Sequence, residues 1–280
     1  MKKILVPTDF SENARQALDV AVKIAKKTDA EIVLLHVNEQ VGAALPVSEY
    51  YYTYDRAIEE KYLNMVHENL ERMLAEVATS LGADNIRTAV IGGPFTTIIT
   101  DLVQTEGIDL IVMGTKGASG LKEFFVGSNT EKIVRMAQCP VLTVHDDKIT
   151  EFKNIVVPTT LEADQKKMFE GLREWEAVFG GKFYLLYINN PGAYRGDHDI
   201  EAREKQLLEA SGLKDVEIYK TETFTLNEEQ VIFDFAKERN ADLIVMGTHQ
   251  RRGLAHILLG SLTEDTINHA AIPVLAIPLK

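Results

Sequence analysis

The chain has 280 residues but one cysteine and one tryptophan. A lone cysteine excludes an internal disulfide framework and a cysteine-rich metal centre. Cys139 stands in AQCPVLTV, just before an apolar run, and is read as a small packed residue rather than a nucleophile. Positive charge is in deficit: 30 Lys and Arg against 42 Asp and Glu leave −12 with His neutral. That balance excludes a general nucleic-acid binder, which needs a basic face to release phosphate counterions, but leaves room for a local basic patch. No apolar run approaches the roughly 18 residues of a membrane span. The opening MKKILVPTDF holds two lysines and only the short run ILV, so it is not read as a signal peptide. These absences lead to the expectation of a cytoplasmic chain with neither membrane nor nucleic acid as partner. Catalytic signatures are missing too. The seven histidines show no HExxH spacing, there is no GxSxG, and no serine has an evident base.

What is present is repetition. KKILVPTD (2–9) resembles KNIVVPTT (153–160), and EIVLLHVN (31–38) resembles KFYLLYIN (182–189). IDLIVMGT (108–115) resembles ADLIVMGT (241–248), and QCPVLTV (138–144) resembles AIPVLAI (271–277). All four anchors keep their order, and the second copy is shorter in its middle. This pattern is a duplication, with its boundary near His145–Phe152. It predicts domains over 1–147 and 152–280, in keeping with a prior of roughly 150 residues per domain.

Within the first copy, apolar runs alternate with helical patterns. Strands are expected at Ile4–Val6, Ile32–Val37, Arg87–Ile91, Leu110–Met113 and Val141–Val144. Ser11 is the expected cap of a helix carrying Ala14, Ala17, Leu18, Ala21, Ile24 and Ala25 on one stripe. Further helices are expected near Arg56–Leu81, Phe95–Glu106 and Thr130–Ala137. Continuous apolar strands are those buried on both faces. Strand–helix alternation with right-handed crossovers then gives a parallel, doubly wound α/β sheet. Ligands of such sheets sit beyond the carboxyl ends of the strands, where PTDFS, HVN and MGTKG all lie.

The segment after the fourth strand reads GTKGASGLKEFFVGSNT, 114–130. Its glycines allow tight turns and close approach of a ligand. Gly127-Ser128-Asn129-Thr130 would open a helix whose unpaired amides and dipole attract anions, with Lys116 adding charge. Tight-turn geometry alone would also explain the glycines. The loop is neither a Walker A loop nor a GxGxxG fingerprint, yet it recurs in the second copy as GTHQRRGLAHILLGSLT.

Together, Asp9 after the first strand and Gly114-x2-Gly117-x9-Gly127-Ser128 after the fourth resemble the ATP-binding universal stress protein family, and the likeness covers nearly the whole chain in tandem. The resemblance implies two Rossmann-like domains, each a five-stranded parallel sheet with helices on both faces. It implies ATP with Mg²⁺ in the first crevice, and Asp9 as the residue reaching the metal. Pro7, Thr8 and Asp9 would line the ribose and phosphate side, Val37 would meet adenine, and Met113 would wall the pocket. Gly114, Lys116, Gly117, Gly127, Ser128, Asn129 and Thr130 would hold phosphates; Asn129 departs from the family's usual residue. Asp9 could instead be only a helix-entry residue, but Ser11 is the better cap.

The second copy departs where it matters. Thr160 replaces Asp9, and Gln250 replaces Gly117, although Gly260-Ser261 survives. Loss of the carboxylate and a side chain in the phosphate path predict weak ATP binding or none, with Arg251, Arg252 and His249 available for another anion. Were Gln250 to point outward, binding would persist. His36, in an apolar strand, is read as a satisfied core histidine, and His198 as solvated. The tyrosine cluster at Tyr50–Asp55 would either cover the pocket, contact a partner or pack on its own helix. The last strand of each copy is an apolar edge that invites pairing. The resemblance implies that the two halves pair there as a pseudo-dimer, with a homodimer of chains a further expectation. The overall expectation is a nucleotide-dependent regulatory module acting with an unidentified protein partner under stress. A slow ATPase or nucleotidyl-transfer enzyme, or an empty scaffold, are the alternatives.

Overall fold

The computed structural model describes residues 1–39, 54–80, 85–115, 127–145, 151–162, 165–223, 227–248 and 261–279. The first copy runs β1 (Lys3–Pro7), α1 (Glu12–Thr28), β2 (Glu31–Asn38), α2 (Tyr54–Ser80), β3 (Ile86–Gly92), α3 (Phe95–Glu106), β4 (Leu110–Gly114), α4 (Ser128–Met136) and β5 (Val141–Val144). The second runs β6 (Asn154–Thr159), α5 (Lys166–Phe179), β7 (Lys182–Asn189), α6 (Asp197–Ser211), β8 (Val216–Glu222), α7 (Glu228–Glu238), β9 (Leu243–Thr248), α8 (Ser261–His269) and β10 (Val274–Pro278). The expected strands and helices of the first copy are all present, with ends moved by one or two residues.

All ten strands form one sheet in the order β3-β2-β1-β4-β5-β10-β9-β6-β7-β8. Pairing is parallel within each half. It turns antiparallel only where β5 meets β10. There Leu142 stands opposite Leu275, its own repeat counterpart, and the Thr143 hydroxyl donates to the Val274 carbonyl at 3.2 Å. The two apolar edges foreseen in the sequence thus satisfy each other. Because the pairing is antiparallel, the carboxyl ends of the two sets of strands point in opposite directions.

The central strands are apolar throughout because helices cover both faces. Residues of α1, α2, α5 and α6 form a core on one side, and residues of α3, α4, α7 and α8 form a core on the other. Each core draws on both halves. The Ser11 side chain caps α1, accepting from the Ala14 amide at 3.2 Å. Every residue of its predicted stripe is buried, and so are Val20 and Val22. The burial is wider than one stripe because α1 also meets the second half: Lys27 Nζ lies 5.5 Å from the Phe179 ring centroid. Phe179 in turn packs on Trp175 and Phe152, with ring centroids 4.5 and 5.5 Å away. At the amino ends of the strands each half repeats one clamp. Asp109 accepts from the Lys2 and Lys3 amides, and Asp242 from the Lys153 and Asn154 amides. The two copies differ most in the helix after their second strand: α2 has 27 residues and α6 has 15.

Cores shared across the junction should make the halves one cooperative unit. Leu34 in β2 is fully buried, and its change to Ala should cost about 2–5 kcal/mol. The single tryptophan, Trp175, reports from the other half. Denaturant unfolding followed by tryptophan fluorescence and by circular dichroism should show the same shifted midpoint for Leu34→Ala. A Trp175 transition left at the wild-type midpoint would mean that the halves unfold independently.

Candidate functional site

The first cleft is built where β1 stops. Phe10 adopts a left-handed φ of 63°, which turns the chain sharply into α1. The turn is held from within. The Phe10 amide donates to the Thr8 hydroxyl at 3.0 Å, and the Ser11 amide donates to Asp9 Oδ1 at 3.0 Å. From β2, His36 Nδ1 lies 2.8 Å from the Thr8 carbonyl, and its ring stands 4.9 Å from that of Phe10. A carbonyl only accepts, so Nδ1 carries the proton.

β4 closes the other wall. A Cβ on Gly114 would lie 2.6 Å from the Asn13 carbonyl oxygen. The glycine is therefore required so that the start of α1 can press against the end of β4. The space that the missing Cβ leaves is taken by the chain itself. Gly127, similarly, has φ −59° and needs no left-handed freedom. The Gly127 amide donates to the Thr115 carbonyl at 2.7 Å, and the buried Thr130 hydroxyl to the Gly114 carbonyl at 3.0 Å. These two bonds tie the start of α4 to the end of β4. Among the described residues, no side chain caps that helix. Its first amides have no partner within the helix, and Ser128 and Asn129 lie at this end.

Pro7, Thr8, Asp9, Val37, Met113, Gly114, Gly127, Ser128, Asn129 and Thr130 all line one cleft of about 330 Å³. Lys116 and Gly117 lie outside the described residues, as do the tyrosines at 50–52. Sequence reading missed His36, Glu39 and Phe95, which also line this cleft. His36 is half-buried and faces the cleft, so it is not the core residue that the apolar strand suggested. Glu39 and Phe95 follow the carboxyl ends of β2 and β3, and that position alone could have flagged them. Cys139 is buried, and burial pushes its thiol up to about 12, as befits a packed residue.

The second half repeats the scaffold with other chemistry. Leu161 takes φ 59°, and its amide donates to the Thr159 hydroxyl at 3.1 Å. The Thr263 hydroxyl reaches the Gly247 carbonyl at 3.4 Å, as Thr130 reaches Gly114. Tyr187 stands in place of His36, Thr160 of Asp9, Glu162 of Ser11 and Glu228 of Phe95. Glu162 is paired with Arg195 and, at 3.2 Å, with Arg203. Hydrogen bonding from Arg195, then the nearby charges, hold its carboxyl below the usual range. The described walls bound a cleft of about 340 Å³. His249, Gln250, Arg251, Arg252 and Gly260 lie outside the described residues.

A doubly wound sheet with a cleft at its carboxyl edge, built twice in one chain, defines a class of tandem α/β proteins. The universal stress protein family model matches residues 1–145 and again 151–278. The chain is 35% identical over 151 residues to a Staphylococcus haemolyticus protein named as a universal stress protein, covering 54% of this chain and 88% of that one. A Staphylococcus aureus protein so named is 33% identical over 162 residues, covering 57% of this chain and 94% of its own. The crystal structure of a universal stress protein from Archaeoglobus fulgidus has the same fold. It covers 99% of this chain and 98% of its own, with a TM-score of 0.74 at 24% identity. The chain belongs to the universal stress protein family.

Two predictions follow the geometry. Gly114→Ala puts a methyl onto the Asn13 backbone and should cost about 1–3 kcal/mol; an unchanged thermal midpoint would refute the contact. Glu162 has a folded pKa below its ordinary 4.5, so its contribution to stability is present above pH 4.5 and lost as pH falls through the folded value. The melting gap between wild type and Glu162→Gln should therefore be open at neutral pH and close below 4.5.

Proposed function

We propose that the first cleft holds ATP, and that its occupancy regulates a partner or an assembly in a stress response. The observation that carries this reading is the N-terminus of α4, uncapped among the described residues, opening into a cleft of about 330 Å³. Amides and a helix dipole aimed at one point suit a polyphosphate. On this reading Ser128, Asn129 and Thr130 offer phosphate donors, with Gly127 giving the backbone room, and Lys116 and Gly117 complete the cradle. Val37 and Met113 supply the apolar wall for a base. Pro7, Thr8 and Asp9 border the sugar, and Gly114 fixes the close approach of α1.

Asp9 is exposed, and its Oδ1 is anchored by the Ser11 amide. A carboxylate so held suits a hard cation, so Asp9 is the residue assigned to Mg²⁺ accompanying ATP. The domains proposed are 1–147, which binds ATP, and 152–280, which binds it weakly or not at all. In the second cleft Thr160 offers no carboxylate, while Glu162 and Glu228 bring negative charge to a place meant for phosphates. The pairing of β5 with β10 makes the pseudo-dimer within one chain; a homodimer of chains, a protein partner and a cytoplasmic location complete the proposal.

Native mass spectrometry and calorimetry of the full chain should find one ATP bound. Asp9→Ala should weaken binding about tenfold, equivalent to about 1.4 kcal/mol. Asn129→Glu, which sets a negative charge at the helix terminus, should weaken it at least as much. Thr160→Ala should leave it within about twofold. Two ATP molecules bound with equal affinity, or none at all, would overturn the assignment.

A further inference from the structure

The second cleft is open and differently lined, and one residue in it points to a ligand. Gln165 is only 5% exposed. Its Oε1 accepts the Thr159 hydroxyl at 2.6 Å and the Thr160 amide at 3.2 Å. A backbone amide can only donate, so this bond fixes which end of the side chain is oxygen. The NH₂ group is left with no partner among the described residues, on a side chain that lines the cleft. With the rest of the side chain packed away, this donor has only the cleft to face, which makes it a place for an acceptor.

The rest of the lining narrows the class. Ile188, Ile232, Met246, Leu262 and Leu279 give the cleft an apolar body. Leu279 is held over it by its amide, which donates to the Thr248 carbonyl at 2.9 Å. Its side chain lies 3.0 Å from where a Cβ on Gly247 would stand, taking the place that Asn13 fills beside Gly114. Charge at the polar end is already spoken for. Arg195 pairs with Glu162 and donates to the Thr160 carbonyl at 3.3 Å, and the Asn190 amide donates to Glu228. With two carboxylates and one guanidinium among the described lining residues, these walls offer little to a polyanion.

We propose that the second cleft binds an uncharged small molecule with an apolar body and one carbonyl-type acceptor, the acceptor being taken by the Gln165 amide. The chain then reads two ligand classes at opposite ends of one sheet. This assignment stands independently of ATP in the first cleft.

Nile red, a neutral fused-ring dye with a ring carbonyl, is a suitable probe on the full-length chain. Its fluorescence should rise saturably at one dye per chain and be unchanged by saturating ATP or by Asp9→Ala. Leu262→Asp should weaken binding at least tenfold. Gln165→Glu keeps an oxygen for Thr159 and Thr160 but replaces the donor with an acceptor; it should weaken the dye about tenfold with Trp175 fluorescence still native. No saturable binding to the wild type would overturn the proposal, as would displacement of the dye by ATP. Should Gln165→Glu fail to fold, wild-type affinity in folded Leu262→Asp would overturn it. If Gln165→Glu folds and binds the dye as well as the wild type, the acceptor contact is refuted.

Discussion

The antiparallel contact between β5 and β10 is the constraint on which the rest of the molecule depends. Each half ends in an apolar strand that could not stay at a sheet edge without inviting aggregation. Pairing the two edges removes both, and places Leu142 against Leu275 as a two-fold relation requires. It also fixes the direction of everything else. Strands within each half are parallel, so one antiparallel step sends the two carboxyl ends, and with them the two clefts, to opposite ends of the sheet. The same step brings α1 against α5 and lets each face of the sheet form a core common to both halves.

Against this shared frame, the two turns after the first strand of each half separate geometry from chemistry. The geometry is kept. A threonine hydroxyl receives the amide two residues on, and that residue takes a left-handed φ of 63° in one half and 59° in the other. The chemistry is exchanged around it. Asp9 and Ser11 give way to Thr160 and Glu162; a histidine ring bonded to the turn carbonyl gives way to a tyrosine whose hydroxyl lies 3.4 Å from Asn189 Oδ1. Phe10 and Leu161 are both non-glycine residues in a conformation that usually disfavours side chains. Both are held there by the threonine bond. A duplicated scaffold can thus keep a cleft open while changing what it accepts.

Much of this was legible in the sequence because its strongest signals are periodic or repeated. Apolar runs, the Ser11 cap and the repeated LIVMGT placed the strands, α1 and β4 before any coordinates did. Ten of the site residues that the family resemblance implied line one cleft. The misses have physical reasons. His36 lies in an apolar run, but at the carboxyl end of a strand the burial lapses and the side chain meets the cleft. Phe95 and Glu39 carry no motif; only the topology puts them there. Gly114 carried a motif, but only the fold shows that its missing Cβ also answers to Asn13 in the same chain. Gln165 could not be foreseen, because its meaning lies in which of its two ends the Thr160 amide engages.

The inequality of the helices that follow the second strands bears on how the clefts are served. The turn after β7 carries Arg195 back over the Thr160 carbonyl and onto Glu162, and α6 then begins directly with Asp197. Arg203, two turns along α6, reaches the same carboxylate. The short connection brings the start of α6 so near the β6 turn that one arginine from the turn and one from α6 meet the same glutamate. The first half has Ser11 at that position, its hydroxyl turned inward to cap α1, and so offers no anion to hold an arginine. The loss of Ser11 as a cap and the gain of Glu162 as an anchor are therefore one change: the hydroxyl that served the helix has become a carboxylate that serves the cleft wall. That wall is what leaves Arg195 spent among the described lining residues, and it does so without altering the turn beneath.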